Sequence, residues 1–385
     1  MKLLVLLTIP AFVSCWGQMV VKDKTGMVIE NLTIDGKRDQ VETRAGLPPS
    51  SITFTEWQQN NGIVIDGGSD ITIRNVTLKN IAGYAILARH VKGLRIERVT
   101  IVDSGSRNGK GRNNATGGIL LEDGTSDFVV RDCRLERIRG NGIWTHSRME
   151  APRNVRGVIE NNTLDTIGRD AIQVGHATRI RVENNEGRRI GFPFDIVDVE
   201  GGAIPVGVDT AGNVDQSSYS RNRFFEVNGK CFDLDGFHDG EITENTCRNT
   251  AIYPSGHFGI VFNNTNPEMQ SRRVTVTGNV MEGMRYGGLF LIGESHTVRG
   301  NRFLRVNEAG CPEKHAENGC FYWADQPDLL SSGIYLGAKA ERPDPSKGNV
   351  IEDNEISGHG MAAKCIAFAP GVKPEENTIR RNRCR

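Results

Sequence analysis

The stretches at residues 276–281 (VTGNVM) and 298–303 (VRGNRF) carry the pattern that decides the fold of this chain. Each opens with valine and places an asparagine three positions later, so Asn279 and Asn301 lie 22 residues apart. The asparagines found in this frame are Asn162, Asn185, Asn222, Asn245, Asn279, Asn301, Asn354 and Asn382. A short period that recurs along a chain is typical of stacked supersecondary units rather than of one globular core.

Earlier segments share this frame but place an apolar residue in the asparagine position. These residues are Leu32, Val76, Val99 and Cys133. Each repeat also contains a second predicted strand with apolar residues at alternate positions, such as Ile63 and Ile65. Alternate residues of a strand share one face, so stacking predicts a continuous apolar interior. The asparagines are predicted to form a corner column in which amides bond along the stack and tolerate left-handed backbone geometry.

Composition narrows the function classes. Among 385 residues, Lys+Arg and Asp+Glu both number 47, so the formal charge is zero. This balance argues against a nucleic-acid binder, which usually presents a basic face. Glycine is abundant, at 45 residues, and aromatic content is 6%, as expected for short strands joined by many tight corners.

The N-terminus resembles an export signal over residues 1–17. Lys2 precedes an apolar run at residues 3–13 that is too short to span a bilayer. We expect cleavage near residues 14–17, or lipid attachment at Cys15, which follows Val13 and Ser14 as in bacterial lipoprotein signals. No later segment is apolar enough to be transmembrane, so the sequence predicts a secreted or periplasmic protein that is either free or lipid-anchored at Cys15.

Export makes disulfides possible. Cys311 and Cys320 bracket a polar loop that a bridge between them would close. The pairs Cys231/Cys247 and Cys365/Cys384 occupy equivalent positions in two repeats, which suggests two similar bridges. Cys133 is left over and is interpreted as a buried free thiol.

The repeat resembles the right-handed parallel β-helix superfamily, whose best-known members are pectate lyases and polygalacturonases. The resemblance covers residues 27–385 and implies an all-β, single-domain solenoid of about eleven rungs. The chain departs from many such proteins at its N-terminus, where the export signal runs almost directly into the first coil at Ile29, so we expect a cap that is short or missing. The string GRDAI at residues 168–172 is similar to the polygalacturonase Gly-Asp-Asp-Cys-Ile strand, with Asp170 in the second Asp position. The Gly-His-Gly string at residues 358–360 falls about five coils too late, and Arg-x-Lys is absent, so no specific family follows.

The outward positions of the second strand predict a carbohydrate-binding cleft. Small residues at Gly175, Pro205 and Gly207 are expected to form a shallow floor, between an aromatic wall on one side and paired carboxylates on the other. Such a surface suits a saccharide substrate, either poly- or oligosaccharide. The residues predicted to bind it are Arg89, Glu122, Trp144, His146, Gln173, Lys230 and Asn263.

Three aspartates are the candidate catalytic residues. Asp233 and Asp235 lie two apart on one strand, at about 6.5–7 Å between Cα atoms, and this proximity tends to raise one pKa. Asp170 is predicted two rungs earlier, on the order of 10 Å from Asp233, a separation compatible with an inverting glycosidase. In this hypothesis Asp233 or Asp235 is the general acid, and Asp170 or the other carboxylate activates water.

Two alternatives remain open at this stage. A polysaccharide lyase or C5-epimerase acting on uronates could use Lys230, His146 and Arg89 as bases or neutralising cations, with Ca²⁺ held by Asp233, Asp235 and Asp239. A non-catalytic saccharide-binding or surface-structural β-helix would use the same surface without turnover. The insertion at residues 107–112 carries three positive charges and is interpreted either as a site for an anionic sugar chain or as a solvated corner.

Overall fold

Strands that pair in parallel and stack in three rows form this protein. The structure is a computed structural model, and it describes residues 18–40, 60–107, 111–112, 116–197, 204–266, 269–312 and 319–385. The predicted fold is confirmed: the chain is an all-β, single-domain right-handed parallel β-helix. The proposed signal peptide and lipidation site at residues 1–17 lie outside the described residues.

The first row carries the candidate site on its outer face. Its strands are Met19–Thr25, Ile63–Ser69, Ile86–Arg89, Ile119–Glu122, Ile143–His146, Ile172–Glu183, Val206–Asp215, Lys230–Asp235, Ile260–Asn263, Leu289–Leu291, Ile334–Leu336 and Ile366–Phe368. Within the described residues this row has twelve strands, one more than the predicted number of rungs. The additional strand is Met19–Thr25, which pairs with Ile63–Ser69 and begins the stack before residue 27.

The second row continues from the first round a corner. Its strands are Val28–Glu30, Thr72–Arg74, Arg95–Glu97, Val129–Arg131, Asn154–Glu160, Ser218–Ser220, Phe237–His238, Glu241–Thr243, Thr275–Thr277, Thr297–Arg299, Val350–Glu352 and Thr378–Arg380. The long strand Ile172–Glu183 pairs in both rows and joins them into one sheet.

The third row forms a separate twelve-stranded sheet. Its strands are Thr33–Asp35, Thr77–Lys79, Thr100–Val102, Arg134–Ile138, Thr163–Ile167, Glu186–Ile190, Arg223–Val227, Thr246–Arg248, Val280–Glu282, Arg302–Val306, Glu355–Gly358 and Arg383–Cys384. Single 3₁₀ turns lie at Arg38–Gln40, Phe194–Ile196 and Pro374–Glu376.

The interior is the predicted apolar column. In the first row Ile63, Ile86, Ile119, Ile143 and Ile172 face one another on successive strands, and all are buried. On each of these strands, the residue that follows the inward isoleucine points outward, because side chains alternate along a strand. The column is therefore the core, and the outer face of the same row is free to carry chemistry.

The strand Val206–Asp215, the seventh of the first row, differs from the prediction. The sequence interpretation began this strand at Ile204 and placed Val206 inside. In the structure Val208 faces Ile172 on one side and Phe232 on the other, so the inward residues are Val208 and Thr210. The shift of four residues follows an insertion before the strand, and it changes which side chains reach the outer surface.

The asparagine column is confirmed, with one correction to its geometry. The Nδ2 group of Asn245 donates to Asn279 Oδ1 at 2.9 Å and to the Tyr219 carbonyl at 2.9 Å, and the same pattern runs from Asn162 to Asn382. Left-handed backbone occurs at the preceding residue, for example Glu244 at φ 57°, rather than at the asparagine. The side chain thus satisfies backbone groups that the corner would otherwise leave unpaired.

The cysteine pairings follow the sequence interpretation. Disulfides join Cys231 to Cys247, Cys311 to Cys320 and Cys365 to Cys384. Cys133 is a buried free thiol whose pKa is raised to about 12, first of all by burial. None of the helical segments in the described part of the chain has the length and apolar character needed to cross a bilayer.

Candidate functional site

A cleft of about 1010 Å³ opens on the outer face of the first row. Its floor comes from consecutive strands, from Ile172–Glu183 to Ile260–Asn263, and its walls come from residues 254–257, 321–324 and 339–341. The polar side chains lining it include Arg169, Asp170, Gln173, Asp209, Lys230, Asp233, Asp235, His257, Asn263, Lys339 and Glu341. Convergent polar groups in a concave surface are typical of a ligand site.

The sequence interpretation missed Asp209, which lies at the centre of the floor. Asp209 faces Gln173 on one neighbouring strand and Asp233 on the other. The signal was present in the sequence, because Val208-Asp209-Thr210 places an aspartate after a buried residue as Phe232-Asp233-Leu234 does. The sequence prediction pairs Ile204 with Ile172, whereas the structure pairs Val208 with Ile172, so the predicted register is wrong by four residues.

The predicted shallow floor of small residues is therefore wrong. Pro205 and Gly207 precede the segment that faces Asp233. The outward positions predicted for these two residues are occupied by Asp209 and Ala211. Gly175 does keep its outward position, opposite Ala211. A carboxylate thus occupies the part of the floor that was expected to be bare.

A chain of amide side chains orients Asp209. Asn141 donates through Nδ2 to Gln173 Oε1 at 2.7 Å, and Gln173 donates through Nε2 to Asp209 Oδ2 at 2.6 Å. The backbone N–H of Asp170 donates to Asn141 Oδ1 at 3.4 Å. Asn141 therefore links the backbone of Asp170 to Gln173, and Gln173 holds the Asp209 carboxyl group in position.

Asp233 has a cation as its direct partner. The Lys230 ammonium, three residues earlier on the strand, donates to Asp233 Oδ2, and both side chains are almost completely buried. Asp233 Oδ1 is also buried, and it has no hydrogen-bond partner among the described residues. A buried, unpaired carboxylate oxygen facing a cleft is available to a ligand or to water.

Burial and mutual repulsion raise the pKa values of the other carboxyl groups. Burial raises the pKa of Asp170 to about 6 against the opposing effect of Arg169, and the charge of Asp233 adds to the rise. Burial raises the pKa of Asp209 well above its usual value, and the charges of Asp170 and Asp233 raise it further. The pKa of Asp235 is also raised to about 6, mainly by burial, although the Thr265 N–H donates to Asp235 Oδ1 at 2.7 Å.

The aromatic wall over these carboxylates is formed by residues other than the Trp144 and His146 expected from the sequence. The His257 ring packs on Tyr322 at 4.8 Å and on Tyr286 at 5.4 Å between centroids. Next to them Phe321 is 45% exposed and Trp323 is 75% exposed. Tyr286 donates its hydroxyl to the Gly319 carbonyl at 2.6 Å, one residue from the Cys311–Cys320 disulfide, so the wall is tied to the coil.

Four of the predicted binding residues lie away from this cleft. Trp144 packs in a separate buried cluster with Val64, Tyr84, Leu87 and Leu120. The other three are positioned on the same strand row towards the N-terminus and are Arg89, Glu122 and His146. The cleft does bring together Gln173, Lys230 and Asn263 with the three predicted aspartates.

Of these residues, Arg89 forms an ion pair on its own face, and Glu122 and His146 have shifted pKa values. Arg89 donates to Asp66 at 3.0 Å. Burial raises the pKa of Glu122 to about 8, aided by Asp123, and burial lowers the pKa of His146 to about 4. They form a second region of the row rather than part of the carboxylate cleft.

The residues suggested for Ca²⁺ do not converge. Asp239 lies at a corner, where Arg273 Nε donates to its Oδ1 at 2.5 Å and His238 Nδ1 lies 2.7 Å from its Oδ2. It does not line the cleft with Asp233 and Asp235. In the described part of the chain, no three His, Cys, Asp or Glu side chains are grouped as a metal site would require.

Comparison with known proteins supports the architecture. A family model described as a right handed beta helix region matches residues 12–150 and 49–192. No curated protein matches the chain. Among solved structures, the Dettilon tailspike protein is 12% identical with a TM-score of 0.53, covering 83% of this chain and 62% of its own. The catalytic domain of a GH87 alpha-1,3-glucanase in complex with nigerose is 10% identical with a TM-score of 0.52, covering 95% and 64%.

These similarities define the class of protein by its fold. The chain spans less than two thirds of the length of either structure, and at such identities the likeness shows a shared architecture. The resemblance to right-handed parallel β-helix proteins is thereby confirmed. The chemistry must be argued from the cleft, because one architecture hosts many reactions.

Proposed function

We propose that this protein is an exported carbohydrate-active enzyme that hydrolyses a glycosidic bond of a polysaccharide in the first-row cleft. The observation that carries the proposal is the grouping of Asp170, Asp209 and Asp233 on neighbouring rungs beneath an aromatic wall. Three disulfides favour an oxidising compartment, in agreement with export. A glucanase domain with this fold is compatible with the reaction class.

Asp209 is the proposed general acid. Its raised pKa keeps the carboxyl group protonated at a pH where ordinary aspartates are ionised, as proton donation to a leaving oxygen requires. Gln173 donates to Asp209 Oδ2 and so orients the group towards the cleft. This assignment replaces Asp233 or Asp235 as the acid expected from the sequence.

Asp233 is the proposed second carboxylate. Lys230 compensates its negative charge, and its unpaired Oδ1 can accept a proton from water or attack the anomeric carbon. Asp209 and Asp233 face each other on strands about 4.8 Å apart, nearer to the about 5–5.5 Å of retaining enzymes than to the about 6.5–9.5 Å of inverting ones. Asp170, separated from Asp233 by one strand, fits the inverting spacing predicted from the sequence.

The aromatic wall supplies the proposed sugar-binding surface. Trp323 and Phe321 are exposed at the rim, with ring centroids 5.6 Å apart, and the apolar face of a sugar ring can pack against them. Asn263 and Asp235 provide hydrogen-bonding groups at the opposite side of the floor. A polysaccharide could therefore lie across the rungs with its scissile bond over Asp209.

A polysaccharide panel, assayed for both reducing ends and ultraviolet absorbance, tests the reaction. We expect reducing ends without absorbance, and we expect kcat to fall about 10²–10⁴-fold in Asp209→Asn and in Asp233→Asn. The matched control is Asp127→Asn, because Asp127 is an exposed carboxylate paired with Arg156 at a corner. Proton NMR of the first product anomer then distinguishes the Asp209/Asp233 pair, which retains configuration, from the Asp170/Asp233 pair, which inverts it.

Three outcomes would contradict the proposal. An ultraviolet-absorbing product would show elimination by a lyase. Binding without turnover on a broad panel would favour a saccharide-binding protein. Full activity in Asp209→Asn would remove the proposed acid even if hydrolysis were observed.

A further inference from the structure

A second, smaller pocket lies at the corner that leads from the third row into the first. Its volume is about 190 Å³. One side is strongly basic, and the other is apolar. It is lined by Arg38, Asp103, Arg107, Arg137, Ile138, Arg139, Thr166, Phe192, Pro193 and Ile196.

The basic side holds more positive charge than its acidic neighbours offset. Arg137 binds the Asp103 carboxylate through Nε and Nη2 at 2.8 and 2.9 Å, and Arg38 donates through Nη1 to the Asp103 carbonyl at 2.5 Å. Asp103 therefore has its carboxylate fully engaged by one of four guanidinium groups. The remaining acids at the edge are Asp39, which is exposed beside Arg38, and Glu136, which pairs with Arg134 and Arg137.

Beside the exposed Arg107, Arg139 is the half-buried guanidinium left for a ligand. In the part of the chain that the structure describes, its side chain has neither a hydrogen bond nor an ion pair. Partial burial lowers its pKa from the usual value, and repulsion from Arg38 and Arg107 lowers it further. A half-buried cation among like charges is stabilised when an anion joins it.

The position of the pocket connects it with the cleft. Arg112 donates to the Val197 carbonyl at 3.1 Å, next to the turn Phe194–Ile196. On the other side, the Phe192 ring packs edge-on against Tyr253 at 5.1 Å. Tyr253 immediately precedes Pro254, which lines the carboxylate cleft, so one aromatic pair separates the two cavities.

We infer that this arginine pocket, centred on Arg139, binds an anionic substituent, a carboxylate or a sulfate, on a sugar unit distant from the scissile bond. Guanidinium groups bind planar or tetrahedral oxyanions through paired hydrogen bonds. The apolar wall of Phe192, Pro193 and Ile196 can pack against the ring that carries the charge. The identity of the ligand as a saccharide rests on the proposed function, and it makes the substrate an acidic polysaccharide.

Equilibrium binding to the Asp209→Asn protein, in which turnover is blocked, tests the inference. The probes are an oligogalacturonate, a sulfated galactan oligosaccharide and a neutral galactan oligosaccharide of equal length. We expect at least one charged probe to bind more tightly than the neutral one. In an added Arg139→Gln substitution that advantage falls about tenfold, while neutral binding is unchanged.

Arg156→Gln is the matched control, because Arg156 is an exposed arginine paired with Asp127 away from both cavities. Preference for the carboxylated or for the sulfated probe identifies the oxyanion, and either supports the inference. Equal binding of charged and neutral probes, or the same loss in Arg156→Gln as in Arg139→Gln, overturns it.

The two proposals fail separately. Binding of charged probes that depends on Arg139, without turnover in the wild-type protein, would remove the hydrolase and leave the anion site. Hydrolysis with an unchanged KM for acidic substrates in Arg139→Gln would remove the anion site and leave the hydrolase.

Discussion

At the scale of the residue, the outer face of the first row carries carboxyl groups in very different environments. Asp209 is oriented by Gln173, Asp233 is paired with Lys230, and Glu122 lies four rungs before Asp233. Glu122 is 4% exposed, and within the described residues its carboxylate forms no ion pair with an arginine. The cost of burying each charge therefore depends on the partner that its own strand or the neighbouring rung supplies.

Glu122 predicts a pH dependence of stability. Its pKa is raised from 4.5 to about 8 in the folded protein, so the folded state binds the proton more tightly than the unfolded state. Stability should fall as pH rises from about 4.5 to about 8, because the charged form is penalised only in the folded state. We expect Glu122→Gln to remove the part of this fall that Glu122 contributes and to stabilise the protein at pH 8 by on the order of 2 kcal/mol relative to wild type.

Denaturant unfolding at pH 5 and pH 8 measures this effect. The difference in the free energy of unfolding between Glu122→Gln and wild type should be larger at pH 8 than at pH 5. A constant difference across that interval would show that Glu122 ionises normally. Asp127→Asn, at an exposed carboxylate whose pKa is lowered by Arg156, should not gain stability at pH 8.

At the scale of the element, the asparagine column links the rungs along one corner. Asn245 accepts hydrogen bonds from the backbone N–H and the Nδ2 of Asn222 at 2.9 and 3.0 Å. It also donates to Asn279 and to the Tyr219 carbonyl. Each asparagine thus satisfies buried groups on the rungs at both sides, which a single apolar residue cannot do.

Asn245→Ala is predicted to destabilise the fold by about 2–4 kcal/mol, because it leaves at least two buried polar groups unpaired at about 1–3 kcal/mol each. Asn382→Ala is the matched control at the C-terminal end of the column, where the side chain is half-buried. We expect it to cost less than half as much in urea-induced unfolding. Equal losses at the two positions would show that the column does not act through buried hydrogen bonds.

At the scale of the whole molecule, the cleft depends on loops that cross several rungs. The floor belongs to the coil, whereas Tyr322 and Trp323 lie two and three residues after Cys320, which a disulfide joins to Cys311. A loop is held in position by such links rather than by strand pairing. The aromatic wall should therefore be sensitive to a bond that the catalytic floor does not need.

We expect the double substitution Cys311→Ser/Cys320→Ser to raise KM several-fold on the substrate found in the panel, with a smaller change in kcat. Without the disulfide, the aromatic wall must be ordered when the substrate binds, and this ordering reduces the net free energy of binding. The matched control is Cys365→Ser/Cys384→Ser, which removes a disulfide outside the cleft lining. Steady-state kinetics at a temperature where all three proteins remain folded checks the result. Equal KM changes in both double variants would contradict a specific role for the loop.

The sequence by itself determined the solenoid, the apolar interior column, the asparagine corner and the pairing of the cysteines. These features depend on contacts between equivalent positions of successive repeats, so a linear period contains them. It also placed Asp170, Asp233 and Asp235 on one surface, because alternation along a strand decides which side chains point outward.

Only the tertiary structure decided that Asp209 lies between Gln173 and Asp233, and that Trp144 and His146 lie outside the cleft. The insertion before Val206–Asp215 breaks the period, so counting residues from the preceding repeat does not give the pairing register of this strand. The aromatic wall and the arginine pocket likewise join segments from different rungs through loops of unequal length. Their proximity follows from packing round the corner of the coil, which a one-dimensional repeat does not encode.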